Sequence, residues 1–214
     1  MTWPSRERRR EVSDRFYARN PDRFLGPPSP FFAWAKPWMD SLPRPARVLE
    51  LGSGPGRDAR GWAAEGLQVR AVDHSGTAIA RGRALPDRPA GLEYEEANLL
   101  DALERTETGS VAAVYAHAVY MILSDAEVDQ VAEQVHRVLR PEGLHLFAVR
   151  SVTDPIAREG AEVAPDVRQR SLDPEPIRYY RRETVEWFTR HGFVRIADED
   201  VASSHMWYVC DRRS

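Results

Sequence analysis

The 214-residue chain carries 30 lysine and arginine residues against 33 aspartate and glutamate residues, a formal net charge of −3 that predicts no nucleic-acid partner. Its one cysteine, Cys210, excludes an internal disulfide and a thiolate metal cluster. The basic start lacks the apolar stretch of a secretory signal and no apolar run reaches about 18 residues, so we predict a cytoplasmic protein without a membrane partner.

The first 45 residues predict two helices. Residues 5–19 are highly charged, with Val12, Phe16 and Tyr17 on one helical face, which is typical of a surface helix. Ser29 and the proline after it then mark a second helix start, and the helix that follows is rich in aromatic residues. An aromatic stripe usually packs in a core, and the alternative is a lid that keeps water from a ligand. We interpret residues 1–45 as an N-terminal helical cover.

From residue 46 strands alternate with helices, which predicts an α/β domain over residues 46–214 with a parallel sheet covered on both faces. Helices are expected to begin at residues 57, 75, 124 and 181. Residues 151–180 show no regular element and predict an insertion that covers the site, the alternative being a disordered surface insertion. The last two strands predict a closing antiparallel hairpin. The predicted strands span residues 46–51, 68–73, 92–97, 110–116, 144–149, 194–201 and 205–210.

The stretch from Val48 to Asp58 is an apolar strand that runs into a glycine-rich turn and then a helix. Gly52, Gly54 and Gly56 allow backbone conformations that other residues avoid, and without Cβ atoms they let a ligand approach the main chain. The next helix begins near Arg57 and directs its free N–H groups at the same place. The pattern predicts a binding loop for a nucleotide-like ligand.

Polar residues end the other strands of the predicted sheet, where ligands of such sheets bind. Asp73 ends the second strand about 20 residues after the first loop glycine, the spacing of an acid that accepts hydrogen bonds from a ribose. Asn98 can both donate to and accept from an adenine edge. His117 ends the fourth strand on the reaction side. As alternatives, Asp73 caps the helix that starts near Ser75, Asn98 is a turn residue, and His117 is a structural histidine.

These features resemble the class I S-adenosylmethionine-dependent methyltransferases over about residues 46–210. The resemblance implies a three-layer, Rossmann-like, doubly wound sheet of seven mostly parallel strands with a C-terminal antiparallel hairpin. Three further segments resemble the small-molecule methyltransferases of the tellurite-resistance type: the residues around Asp58, Tyr115 to Leu123, and Arg150 to Glu162. The residues that carry the family resemblance are Glu50-Leu-Gly52-Ser-Gly54-Pro-Gly56, Asp73, Asn98 and Arg140-Pro-Glu-Gly-Leu144.

The resemblance implies S-adenosylmethionine as the cofactor and assigns roles to the matching residues. The loop from Gly52 to Gly56 would carry the methionine part, Asp73 the ribose, and Asn98 with Leu99 the adenine. Glu50 would orient the loop or reach the amino group through water. The predicted cofactor-binding residues are Glu50, Gly52, Ser53, Gly54, Gly56, Arg57, Asp58, Asp73, His74, Asn98, Leu99, Ala116 and His117.

The nearest competitor is an NAD(P)-dependent oxidoreductase. Its dinucleotide pattern needs a third glycine at the position of Arg57, and Asp58 would place a negative charge beside two phosphates. A non-catalytic or regulatory cofactor-binding protein shares the same loop and stays open. A macromolecule methyltransferase is disfavoured by the acidic pI and by Ala116-His-Ala-Val, which stands where a base-flipping motif Asn/Asp-Pro-Pro-Tyr is expected.

For catalysis the predicted residues are His117 and Tyr120. His117 is the general base if the acceptor arrives protonated, because an unperturbed imidazole titrates near neutral pH. Tyr120 and Tyr115 are interpreted as contacts to the sulfonium or the substrate. Arg150 either binds an anionic substrate or pairs with an acid of the next loop. We predict a small-molecule acceptor, no metal, and a homodimer as one form of assembly; weaker pocket candidates are Tyr179, Tyr180 and His205.

Overall fold

The computed structural model describes residues 3–170 and 175–214. Residues 1–2 of the predicted cover and residues 171–174 of the predicted insertion lie outside them. None of the helices in the described ranges is long and apolar enough to cross a membrane. The helices are α1 (Arg6–Arg19), α2 (Pro30–Asp40), α3 (Arg57–Ala64), α4 (Gly76–Ala84), α5 (Leu99–Arg105), α6 (Asp125–Val138) and α7 (Arg182–Val185), with 3-10 helices at Tyr120–Ile122, Pro155–Arg158 and Glu186–His191.

A seven-stranded sheet has the order β3-β2-β1-β4-β5-β10-β9, in which β10 lies antiparallel between β5 and β9. The neighbours from β3 to β5 pair in parallel. This arrangement confirms the predicted mostly parallel sheet with its closing hairpin. The strands are β1 (Arg47–Leu51), β2 (Gln68–Asp73), β3 (Leu92–Glu96), β4 (Val111–His117), β5 (Leu139–Arg150), β6 (Ala161–Ala164), β7 (Val167–Gln169), β8 (Ile177–Arg178), β9 (Phe193–Val201) and β10 (Met206–Arg213).

Two apolar layers cover the sheet. One layer joins α5 and α6 to the 3-10 helix at Glu186–His191, and the other joins α2, α3 and α4. Strands β1 and β4 are buried on both faces along most of their length and lie in the middle of the sheet, as expected for parallel strands covered by helices. The polar strand β3 lies at one edge, as predicted. In α2 the ring of Phe31 is fully buried and stacks on Tyr115 at 4.8 Å, so its aromatic residues belong to the core.

The structure differs from the predicted elements in three places. Helix α5 follows β3 where no helix was expected, because seven residues are too few to show a helical period. The insertion contains a small antiparallel sheet of β6, β7 and β8 instead of lacking regular elements, and strands this short carry little alternation. The helix predicted from residue 181 is one α-helical turn that continues as a 3-10 helix.

Candidate functional site

A cavity of about 440 Å³ opens at the carboxyl ends of β1, β2 and β4, a size that suits a small ligand. Most of the predicted site residues meet in its wall. Three of them, all within the described part of the chain, lie outside the wall: Gly56, Ala116 and Tyr120. The predicted residues in the wall are Glu50, Gly52, Ser53, Gly54, Arg57, Asp58, Asp73, His74, Asn98, Leu99 and His117.

The glycine loop between β1 and α3 adopts left-handed backbone angles. Gly52 has φ +67° and Gly54 has φ +57°, which residues with a Cβ atom rarely adopt. The space of the missing Cβ atoms is filled by protein: a Cβ on Gly52 would lie 2.8 Å from the Val119 side chain, and one on Gly54 would lie 2.5 Å from the Tyr17 hydroxyl. Both glycines are therefore required by the loop geometry and by close packing from two other segments.

Asp73, at the end of β2, holds the loop in place. Its Oδ2 accepts a hydrogen bond from the Gly54 N–H at 2.8 Å, and its Oδ1 accepts one from the Ser75 N–H at 2.8 Å. Burial raises the pKa of the carboxyl, while the charge of His74 and these backbone donors oppose the rise. The helix cap of α4 is Ser75 rather than Asp73. Because a carboxylate has about four acceptor sites, Asp73 keeps acceptor capacity for a ligand.

Glu50 is a buried carboxylate in the cavity wall with 3% exposure. Its Oε2 makes no hydrogen bond to any part of the chain that the structure describes. Burial raises its pKa well above the ordinary value, and the charge of Asp58 adds to the rise. An unpaired buried carboxylate is costly unless a cation or donor meets it. Glu50 is thus suited to a ligand that carries a positively charged group.

Asn98 caps helix α5, and its side-chain oxygen accepts from the Leu100 N–H at 3.0 Å. The amide nitrogen is left for other partners in the cavity wall, since an asparagine amide has separate donor and acceptor ends. Leu99 follows as the first residue of α5 and lines the same wall. The two residues therefore present one donor and one apolar surface side by side.

His117 and Asp58 form a second pair of polar residues in the cavity wall. The Nδ1 of His117 lies 3.4 Å from Oδ2 of Asp58. Asp58 is 3% exposed and also receives hydrogen bonds from Ser29 and Tyr115. Burial alone would raise the pKa of Asp58, but hydrogen bonding from His117 and Ser29 holds it below its ordinary value. The cavity wall therefore carries an ionised carboxylate beside an imidazole.

Tyr120 lies in the core instead of the cavity. Its hydroxyl hydrogen-bonds Nε2 of His145 at 2.9 Å, and the residue is 1% exposed. The physical reason is the turn after β4, where Ala118 takes a left-handed φ of +60° and the chain enters a 3-10 helix. Ala116 is fully buried within β4. Gly56 faces the ring of Tyr94, away from the ligand space.

Sequence reasoning missed the inward face of α1. Arg9, Ser13 and Tyr17 line the cavity, while Phe16 is 40% exposed. Ser13 Oγ lies 2.8 Å from Nε2 of His74, and Arg9 forms an ion pair with Glu127. Arg9, Ser13 and Tyr17 are spaced four residues apart and therefore share one face of α1. Because most of these side chains are polar, the sequence made this face resemble one exposed to solvent.

The hairpin of β9 and β10 supplies part of the cavity wall. Ser204, Met206 and Tyr208 line it, as do Phe24 and Arg150. The guanidinium of Arg150 pairs with Asp154, which is the second of its two predicted roles. The weaker candidates Tyr179, Tyr180 and His205 are not part of the wall, although all lie in the described ranges. The hairpin thus adds the apolar side chain of Met206 and the ring of Tyr208 to the wall.

Comparison with known proteins agrees with this geometry. Residues 48–143 match a family model described as a methyltransferase domain. A putative methyltransferase from Geobacillus sp. is 28% identical over 106 residues, covering 49% of this chain and 42% of the relative. Malonyl-[acyl-carrier protein] O-methyltransferase from Enterobacter lignolyticus is 29% identical over 157 residues, covering 69% of this chain and 55% of the relative. The chain spans about half the length of these curated relatives.

The fold is shared with many solved structures. One is the 1,6-didemethyltoxoflavin-N1-methyltransferase of Burkholderia thailandensis, crystallised with 1,6-didemethyltoxoflavin and S-adenosylhomocysteine. It has a TM-score of 0.69 at 16% identity, with 97% of this chain and 87% of that chain covered. The looser resemblance to the tellurite-resistance type stays a prediction. The matched domain, the strand order and the curated relatives thus make the chain similar to the S-adenosylmethionine-dependent methyltransferases, one of which, from Mesorhizobium loti, has a TM-score of 0.65 at 21% identity, with 84% of this chain and 97% of that chain covered.

Proposed function

We propose that the protein transfers a methyl group from S-adenosylmethionine to an oxygen, nitrogen, sulfur or selenium atom of a small molecule. The observation that carries the proposal is one cavity whose wall joins the unpaired carboxylate of Glu50 to the imidazole of His117. A carboxylate suited to a cationic cofactor and an imidazole suited to accept a proton thus line the same cavity. When bound, S-adenosylmethionine supplies an electrophilic methyl group on a positively charged sulfur.

The residues at the β1 and β2 end fit this cofactor. Glu50 offers its free oxygen to the ammonium group of the methionine part. Asp73 uses its remaining acceptor sites for the ribose hydroxyls, and Asn98 donates its amide to the adenine. Helix α1 covers this end through Ser13 and Tyr17, and we assign residues 1–45 the role of a cover on that basis.

At the other end, His117 takes the proton of the acceptor. Methyl transfer needs the acceptor and the methyl group held in line and shielded from water, so the protein acts mainly by positioning. Pro30, Met206 and Tyr208 line the same cavity as His117 and add apolar surface to its wall. None of residues 151–170 and 175–180 lines the cavity. The covering role predicted for the insertion therefore stays a prediction.

Calorimetry with S-adenosylmethionine and with NAD tests the cofactor. Binding of the sulfonium compound without NAD is expected, and the reverse would refute the proposal. Release of S-adenosylhomocysteine with a panel of thiols, selenide, amines, phenols and carboxylates then identifies the acceptor. Cofactor binding without release of S-adenosylhomocysteine for any acceptor would support the alternative of a non-catalytic or regulatory cofactor-binding protein.

The proposal also includes a cytoplasmic location and no macromolecular substrate. A pI near 6.1 disfavours polyanion binding, and the single cysteine, Cys210, is buried. Light scattering on the purified protein measures the assembly state and tests the predicted homodimer.

Replacing Asp73 by alanine should weaken S-adenosylmethionine binding by about 1–3 kcal/mol, because a charged hydrogen-bond acceptor is lost together with the anchor of the Gly54 N–H. Titration calorimetry of the purified variant measures this change. Asp101→Ala is the matched control, since Asp101 is an exposed carboxylate paired with Arg6. Equal affinity for the Asp73 variant and the wild type would remove Asp73 from the binding site.

A further inference from the structure

Asp58 of α3 is a buried carboxylate that receives donors from two other segments. Its Oδ1 accepts from the Ser29 N–H at 2.7 Å. Its Oδ2 accepts from the Ser29 hydroxyl at 2.6 Å and from the Tyr115 hydroxyl at 3.0 Å. The Nδ1 of His117 lies 3.4 Å from the same Oδ2. Helix α3, the start of α2 and the end of β4 thus meet at one carboxyl group.

Because Asp58 is ionised, it determines which ring nitrogen of the neighbouring His117 imidazole carries the proton. An ionised carboxylate only accepts hydrogen bonds, so the ring nitrogen that faces it must carry a proton. That nitrogen is Nδ1 of His117. In a neutral imidazole the other nitrogen, Nε2, then holds the free electron pair. His117 lines the cavity, and within the described ranges its Nε2 makes no hydrogen bond.

We propose that Asp58 is a positioning residue that fixes the tautomer and orientation of His117, with Nδ1 protonated and Nε2 free to take a proton. This inference rests on the proposed function, in which His117 receives the proton of the acceptor. The negative charge of Asp58 then stabilises the imidazolium that forms. A contact of 3.4 Å is longer than an optimal hydrogen bond, and catalytic hydrogen bonds often shorten when ligands bind.

The pair also defines the class of acceptor. A proton acceptor is useful only when the nucleophilic atom keeps its proton near neutral pH, as hydroxyl groups do. A carboxylate is already ionised there and needs no base. The geometry therefore points to an acceptor atom that still carries a proton near neutral pH, that of a hydroxyl, thiol or ammonium group rather than a carboxylate, and this proton passes to Nε2 of His117 as the atom is methylated.

A purely structural role for Asp58 is the competing explanation, since Ser29 is the N-cap of α2 and both its donors end on this carboxylate. The two explanations differ in what they require of the His117 ring. If Asp58 only stabilises the start of α2, either tautomer of His117 is possible. If Asp58 is a positioning residue, only the tautomer with a proton on Nδ1 is expected. The deciding measurement is therefore the tautomer itself.

Nitrogen-15 NMR of histidine-labelled protein, at a pH where the imidazoles are neutral, reports which ring nitrogen carries the proton. His117→Gln identifies the His117 signals among the six histidines. In the wild type we expect the Nδ1–H form, both alone and with S-adenosylhomocysteine. In Asp58→Asn the amide can donate as well as accept, and we expect a mixture of both forms. Tyr115→Phe removes a hydrogen bond to the same oxygen and should leave the tautomer unchanged.

An Nε2–H form in the wild type would overturn the inference, even if Asp58→Asn fails to fold. A wild-type tautomer that persists in folded Asp58→Asn would overturn it as well. Thermal unfolding of each variant establishes that it is folded. The result is independent of turnover: loss of cofactor binding or product release would refute the proposed function while the NMR signals still decide the role of Asp58.

Discussion

Replacing His117 by glutamine is expected to lower turnover by about 10²- to 10⁴-fold, the range that a general base contributes. Glutamine keeps much of the size and can hydrogen-bond to Asp58, but its amide accepts no proton at neutral pH. In the proposed site the imidazole takes the proton of the acceptor, whereas Asp73 and Asn98 bind the cofactor. We therefore expect a much smaller change in the affinity for S-adenosylmethionine.

The measurement is the rate of S-adenosylhomocysteine release with the acceptor that the screen identifies. A fall in kcat with little change in cofactor affinity marks a group that acts in the transition state. His191→Gln is the matched control, because His191 pairs with Asp129 outside the cavity wall and its replacement should leave the rate unchanged. Equal rates for His117→Gln and the wild type would make His117 a structural residue.

The sequence predicted the centre of the sheet well because buried parallel strands are continuous apolar runs. β2 begins and ends where its apolar residues predict, and the loop after β1 is identified by its glycines. The capping box of Ser124 and Glu127 likewise marks the start of α6. These signals are local, so they do not depend on the rest of the fold.

Features that depend on distant contacts could not be read in the same way. Tyr120 leaves the cavity because Ala118 adopts a left-handed backbone angle, which a non-glycine sequence does not signal. The donors to Asp58 come from Ser29 and Tyr115, far apart along the chain. The prediction of Asp58 as a cofactor contact considered only its neighbours in the loop. Its position at a junction of three segments needs the tertiary structure.

Replacing Arg195 by methionine is expected to lower the free energy of unfolding by about 3–5 kcal/mol, the cost of leaving a buried charge without its partner. Asp211 of β10 is fully buried and lies opposite Arg195 of β9 in the sheet register. The Nε of Arg195 forms an ion pair with Asp211, and Nη2 donates to the Val185 carbonyl at 3.1 Å. This ion pair joins β9 to β10 and so stabilises the hairpin whose residues Met206 and Tyr208 line the cavity.

The loss of unfolding free energy in Arg195→Met should depend on pH. Burial raises the pKa of Asp211, and hydrogen bonding and charge from Arg195 oppose the rise. Without Arg195 the folded-state pKa rises further above that of the unfolded chain. Such a group stabilises the fold below its unfolded pKa, and the contribution is lost as pH rises through the folded pKa. The deficit of Arg195→Met relative to the wild type should therefore be smaller at about pH 5 than at about pH 8.

Urea unfolding at both pH values measures the deficit, and the double variant Arg195→Met with Asp211→Leu is the matched control. Replacing both members of a buried ion pair by apolar residues is often close to neutral. The double variant should therefore recover most of the stability and lose the pH dependence. An Arg195→Met deficit that is equal at both pH values would show that Asp211 is not the origin of the cost. In that case the lost contacts of Arg195 with the Val185 carbonyl and with Asp198, together with the lost packing of its long side chain, would account for it.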